Sequence, residues 1–208
     1  MAVANYVDEH GSYPPPFVNG PDGRPWHSWR VLILPYLEEK ETYNAYNFNE
    51  PWDGPNNRKL AERMPKQYAF HGFEKPGNTT TNYLAVVGAD TLWPGTKKVT
   101  QKDVKDGTGV TIAVVENRGA DVHWMEPRDL ALDKMSMQIN SPNGIGSPYV
   151  EPGVLMASGS LSSLPPDIKP QVLRAMFTIA GGEQLDVNDS GGWKVMEDGR
   201  KRALRESQ

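Results

Sequence analysis

The sequence predicts an α+β fold, with helices near the two ends of the chain and antiparallel strands in the middle. Apolar residues follow helical spacing before residue 65 and again over 170–177. Between these regions, β-branched and alternating segments are separated by turn sequences. The 208 residues include 20 glycines and 18 prolines, more than average usage. We therefore expect short elements joined by many loops.

The first ten residues are predicted to form a helix. Val3, Tyr6 and Val7 lie on one helical stripe, and Gly11 is suited to a helix C-cap. No N-cap residue precedes the stripe, so we expect residues 1–10 to be the end of a longer helix that lies on the sheet.

A second helix is predicted after Ser28, which is a suitable N-cap. Pro35 would kink or end this helix. Its apolar face is predicted to form the heart of the core, with four members: Trp29, Leu32, Ile33 and Leu37. Further helical segments are expected over 38–46 and from Asn56 to residue 64.

Strands are predicted over 66–71, 82–87 and 110–115 from alternation and β-branched content. Segments 154–157 and 160–164 flank Ser158-Gly159 and indicate a β-hairpin. A last helix is expected over 170–177. The sequence after residue 185 is polar, and we treat 1–185 as a globular head and 186–208 as a tail.

The tail contains a pattern typical of a calcium loop, with oxygen donors at positions 1, 3, 5, 7 and 12 and glycine at position 6. Alternate oxygens would point inward, and the last carboxylate would close the site. The five predicted ligands are Asp186, Asn188, Ser190, the Gly192 carbonyl and Glu197. Lys194 stands where a water-bridging oxygen is common, so an ordinary polar turn is the competing interpretation.

Composition and motifs make several functions improbable. A net charge of −4 without a basic run argues against nucleic-acid binding, and no apolar run approaches the length of a membrane span. The chain has no cysteine, and its histidines lack zinc-site spacing. The segment 157–160 does not match the nucleophile elbow of hydrolases. We therefore expect no enzymatic activity, with a hydrolase kept as a third alternative.

The six tryptophans suggest an alternative function, because an exposed aromatic ring can stack on a sugar. Trp26 and Trp52 are the candidate ligand-binding residues of such a glycan or solute site. The competing interpretation is that the tryptophans fill a small core. For the segment 50–53 we expect a turn in which Asp53 accepts backbone hydrogen bonds and Trp52 packs against the fold.

Several blocks resemble a known family in the same order. Residues 27–38 read HSWRVLILPYLE, and Tyr13-Pro14-Pro15 precedes them. EPWD follows at 50–53, TNYLAVVG at 81–88, and DGT at 106–108 leads to VVE at 114–116. These blocks resemble a family of bacterial prepilin-like proteins that is abundant in planctomycetes and is labelled a domain of unknown function. The resemblance spans about residues 1–185.

The resemblance implies a pseudopilin-like fold, in which a long N-terminal helix lies on an antiparallel sheet. It also implies an upstream membrane-anchoring helix and a place in the cell envelope, outside the cytoplasm. The expected partners are other pilin-like subunits or further copies of the chain, and the expected function is assembly or surface display. Where the family often has a His before an Asp-Gly pair, this sequence has Pro148 and Ser158-Gly159, so a role of that pair is not carried over.

Overall fold

The computed structural model describes residues 2–183, 185–187 and 193–195, the backbone alone for 186, 187 and 193–195. It has the mixed α+β composition that the sequence predicts. The α-helices are α1 (Ala2–His10), α2 (Trp29–Leu32), α3 (Lys40–Ala45) and α4 (Pro170–Ala175). Short 3₁₀ helices span Leu34–Leu37, Asn57–Leu60, Lys66–Tyr68 and Gln101–Asp103. Among the described residues, no helix combines the length and apolar character needed to cross a membrane.

The strands of the described residues form one main sheet and three two-stranded ribbons. In chain order they are β1 (Phe17–Asn19), β2 (Pro25–Ser28), β3 (Thr80–Thr81), β4 (Tyr83–Val87), β5 (Ile112–Glu116), β6 (Val122–His123), β7 (Leu130–Ala131), β8 (Gly153–Met156), β9 (Leu161–Ser163), β10 (Leu185–Val187) and β11 (Trp193–Val195). The main sheet has the order β7-β4-β5-β8-β9. All its neighbours are antiparallel except β4 and β7.

The main sheet separates two hydrophobic cores, because successive side chains of a strand point to opposite faces. Ala85 pairs with Val114 on the face that packs against α1 and α2. Leu84 pairs with Val115 on the other face, which packs against α4. Both faces are therefore covered, which explains why β5 is buried along its whole length.

The N-terminal helix is confirmed. Val3 and Val7 are buried in the same core as Trp29 and Val114. The helix ends at Gly11, whose φ of 68° is the left-handed conformation that favours glycine, and whose N–H donates to the Val7 carbonyl at 2.8 Å.

The helix predicted after Ser28 is shorter than expected. It ends at Leu32, and a 3₁₀ helix with Pro35 in its first turn follows. The Ser28 side chain makes no capping hydrogen bond. The change of helix type rotates the buried stripe, so Val31 and Leu34 lie in the core whereas the expected Leu32 and Leu37 are only partly buried. Trp29 and Ile33 are buried as predicted.

Two other predictions in the first half of the chain are wrong. The segment 66–71 is not a strand but a 3₁₀ turn that begins after Pro65. Its Tyr68 is buried, and the Tyr68 hydroxyl donates to the Arg30 carbonyl at 2.6 Å. The segment after Asn56 forms only the 3₁₀ helix Asn57–Leu60. Strands β4 and β5, the β8–β9 hairpin and helix α4 lie where the sequence predicts them.

Candidate functional site

The buried histidine of the HSWR block stabilises the scaffold. His27 Nδ1 lies 2.9 Å from the Tyr46 hydroxyl, with which it forms a hydrogen bond. The His27 ring also contacts Phe48 edge-on. Burial lowers the pKa of His27 below its ordinary value. The neutral ring therefore links β2 to the end of α3.

His123 has a similar structural environment. Its ring centroid lies 5.0 Å from that of Trp52 and 6.4 Å from that of Trp124. Burial also lowers the pKa of His123. Its Nδ1 accepts the backbone N–H of Met125 at 3.2 Å, so the neutral ring holds a turn between β6 and β7.

The segment 50–53 forms a turn, but its capping carboxylate is not the predicted one. Glu50 Oε1 accepts the backbone N–H groups of Asn56 and Asn57, both at 2.7 Å. Asp53 instead makes an exposed contact of 3.8 Å with Arg58. Glu50 suits this role because its longer side chain reaches across the turn. Trp52 packs against the fold as expected.

A buried ion pair joins the HSWR block to a distant loop. Arg30 Nη1 donates to Asp129 Oδ1 at 2.7 Å, and the side chains are 0% and 3% exposed. The same oxygen accepts the Ala85 N–H and the Trp29 indole N–H. Burial raises the pKa of Asp129, and Arg30 and these donors act in the opposite direction. Arg30 also donates to four backbone carbonyls, those of Tyr83, Trp124, Glu126 and Arg128.

The two tryptophans predicted for ligand binding are partly exposed. The backbone N–H of Trp52 donates to the backbone carbonyl of Trp26 at 3.0 Å. Trp26 lines a shallow cavity of about 250 Å³ with Phe48 and Asn49, and Trp52 is not part of that lining. The structure thus brings the two backbones together without placing both rings in this cavity. Trp29, Trp93 and Trp124 are fully buried and belong to the core.

The aromatic patch consists of the exposed Phe73 and Tyr149, the buried Phe70 beneath them, and the exposed Val150, which follows Tyr149 in the chain; no sequence pattern predicts it. Phe70 is buried beneath Phe73 and Tyr149, and the three ring centroids lie 6.3–6.5 Å apart. Phe73 is 53% exposed and Val150 is 78% exposed. The Tyr149 hydroxyl donates to the His71 carbonyl at 2.5 Å, which fixes the two loops of the patch together.

An apolar groove of about 460 Å³ lies between α1, the 3₁₀ helix after α2 and the β8–β9 hairpin. Its walls include Val3, Leu37, Leu155 and Leu161. Glu116, at the end of β5, provides its carboxyl group. No local sequence pattern marks this groove, because its lining comes from seven separate segments of the chain.

Most of the predicted calcium loop lies outside the described residues. Asp186 belongs to β10, with its backbone opposite Lys194. The other predicted ligands, Asn188, Ser190, Gly192 and Glu197, lie outside the described residues. Within the part of the chain that is described, no three His, Asp or Glu side chains could hold a metal ion. The calcium loop and the division at residue 185 therefore stay predictions.

Comparison with known proteins identifies one similarity. Residues 1–83 match the family model SBP_bac_10, described as "Protein of unknown function (DUF1559)". This segment runs from α1 through the HSWR block to the first residue of β4. No curated protein and no solved structure is significantly similar to the chain. The family description assigns no activity.

Proposed function

We propose that this chain is the globular head of a pilin-like protein of the cell envelope, and that it acts by associating with other copies of itself or with related subunits. The observation that carries the proposal is the aromatic patch. Large apolar side chains exposed together on a soluble surface mark interaction sites, and aromatic residues are enriched in protein interfaces.

The arrangement of α1 also supports this proposal. The helix buries Val3 and Val7 against the face of the main sheet that carries Val114. A helix seated on an antiparallel sheet is what the resemblance to prepilin-like proteins implies. Three side chains of types common in catalysis, His27, His123 and Glu50, instead make hydrogen bonds within the protein that stabilise its fold. This structural use favours a binding function over a catalytic one.

The patch has the form of a contact surface. The Phe70 ring and the Tyr149–His71 hydrogen bond hold the exposed rings in place, so little side-chain entropy is lost when a partner covers them. We expect Phe73 and Val150 to contribute most, because they expose the largest apolar fractions of the patch.

Analytical ultracentrifugation over a concentration series tests the proposal. Phe73→Ser should weaken self-association by about tenfold or more, the size of a typical interface hot spot. Val18→Ser is the matched control, because Val18 is also exposed but lies on the β1–β2 hairpin. A native chain that stays monomeric at every concentration, or equal effects of the two variants, would count against the proposal.

Glycan binding is the second candidate. It rests on the cavity in which the half-exposed Trp26 lies beside Asn19 and Asn49, since a ring next to amide groups suits a sugar. Titration with soluble oligosaccharides, followed by tryptophan fluorescence, would separate the two candidates. Saturable binding that Trp26→Ala abolishes would favour the glycan function.

A further inference from the structure

The groove beside α1 contains a carboxyl group in an unusual setting. Glu116 is only 5% exposed, although it lines the open groove. Its Oε2 accepts the Gly153 N–H at 2.9 Å. Oε1 accepts no hydrogen bond from any described residue. Among the described residues, every side-chain oxygen or nitrogen that is buried from solvent has a hydrogen-bond partner. Because Oε1 has no such partner, it must be accessible to solvent, on the side where Glu116 lines the groove.

The residues around Glu116 favour a ligand with a positive charge. Among the residues that the structure describes, the groove lining contains no Lys, Arg or His, and most of its surface comes from aliphatic and aromatic side chains. A carboxylate in apolar surroundings is costly unless a donor or a cation approaches it. The one donor among the described residues bonds Oε2 and leaves Oε1 available to a cation that enters the groove.

Tyr83 adds to this selectivity. It pairs with Glu116 across β4 and β5, and it lines the same groove. Burial, assisted by the charge of Glu116, raises the pKa of Tyr83 to about 12. The electron-rich face of a tyrosine ring can attract a cation.

We propose that the groove binds a small organic cation, with an amine held at Glu116 and an apolar body lying along Leu155 and Leu161. The cavity volume is in the usual range of small-molecule sites, which are mostly apolar and have few polar groups. The amine donates hydrogen bonds to Glu116 Oε1 and neutralises its charge. The groove adjoins the aromatic patch, because the Tyr83 ring lies 6.2 Å from the ring of Phe70.

Calorimetric titration with three probes of equal chain length tests the proposal: n-octylamine, n-octanol and n-octanoate. We expect the amine to bind about tenfold or more tightly than the alcohol, and octanoate to bind least. Glu116→Gln keeps an acceptor for the Gly153 N–H and removes the charge, so it should abolish the preference for the amine. Glu62→Gln makes the same charge change at an exposed site and should have no effect.

A second variant separates a lost site from a lost fold. A Cβ atom added at Gly153 would lie 3.1 Å from Glu116 Oε1, so Gly153→Ala should obstruct the carboxylate and weaken octylamine binding. The midpoint of thermal unfolding, measured for each variant, shows whether it remains folded. The proposal fails if octylamine does not bind at millimolar concentration, if octanol binds equally well, or if a folded Glu116→Gln variant keeps the preference.

Discussion

The ion pair between Arg30 and Asp129 gives a sharp stability prediction. Asp129→Asn preserves the shape of the side chain but removes its charge. The Arg30 guanidinium is fully buried and keeps its charge at all physiological pH values. In the variant all of its partners would be uncharged: the side-chain amide oxygen at position 129, the backbone carbonyls, and the face of the Trp29 ring at 5.2 Å.

The magnitude follows from the burial of this pair. Removing one partner of a buried ion pair costs about 3–5 kcal/mol, because the remaining charge is left uncompensated. We expect about 3 kcal/mol, since four backbone carbonyls still accept hydrogen bonds from Arg30. That is a large part of a typical unfolding free energy of about 5–15 kcal/mol. Asp53→Asn makes the same substitution in the exposed 3.8 Å pair with Arg58 and should cost below about 1 kcal/mol.

Urea unfolding followed by tryptophan fluorescence measures both losses. The slope of the unfolding free energy against urea should be unchanged, so that the shift of the midpoint reports stability alone. If Asp129→Asn destabilises the chain no more than Asp53→Asn does, Arg30 and Asp129 do not form the buried pair described above.

Three further predictions concern pH, the core and calcium. Because burial lowers the pKa of His27, its neutral ring adds stability that is complete above about pH 6.5 and is lost as the pH falls through the folded-state value. His27→Gln should therefore flatten the fall in unfolding free energy between about pH 7.5 and about pH 5, and the same change at the fully exposed His71 should not. In urea melts, Leu34→Ala should cost about 2–5 kcal/mol, whereas Leu32→Ala, at a partly exposed position, should cost about 1 kcal/mol; equal losses would contradict the assignment of the core. If the tail binds calcium weakly, millimolar calcium should stabilise the fold by at most about 1.5 kcal/mol, and Glu197→Gln should abolish the difference between melts with calcium and with chelator; identical melts of the native chain would reject the site.

Much of the fold can be predicted where a sequence pattern within one segment is sufficient to determine its secondary structure. The β-branched run in β5, the turn at Ser158-Gly159 and the apolar stripe of α4 each determine their own element. The prediction over 66–71 is wrong because tertiary contacts override alternation. A 3₁₀ turn begins after Pro65, and the buried Tyr68 donates a hydrogen bond from its hydroxyl to the Arg30 carbonyl.

The candidate sites are harder to predict because their members are far apart in the chain. Arg30 and Asp129 are 99 residues apart, and the groove places Glu116 beside Gly153 through the pairing of β5 with β8. One local signal exists for the ion pair. An arginine inside an otherwise apolar run, as in WRVLIL, indicates a buried charge that needs a partner.

The central proposal, that the chain acts by assembly through the aromatic patch, has a direct test. The chain has no cysteine, so one introduced cysteine is its only thiol. Val150→Cys, in the native protein expressed in intact cells and exposed to a mild oxidant, should form disulfide-linked pairs of the chain. Lys97→Cys, at an exposed position outside the patch, should not. Absence of linked pairs at Val150, or equal linkage at both positions, would contradict assembly through this surface.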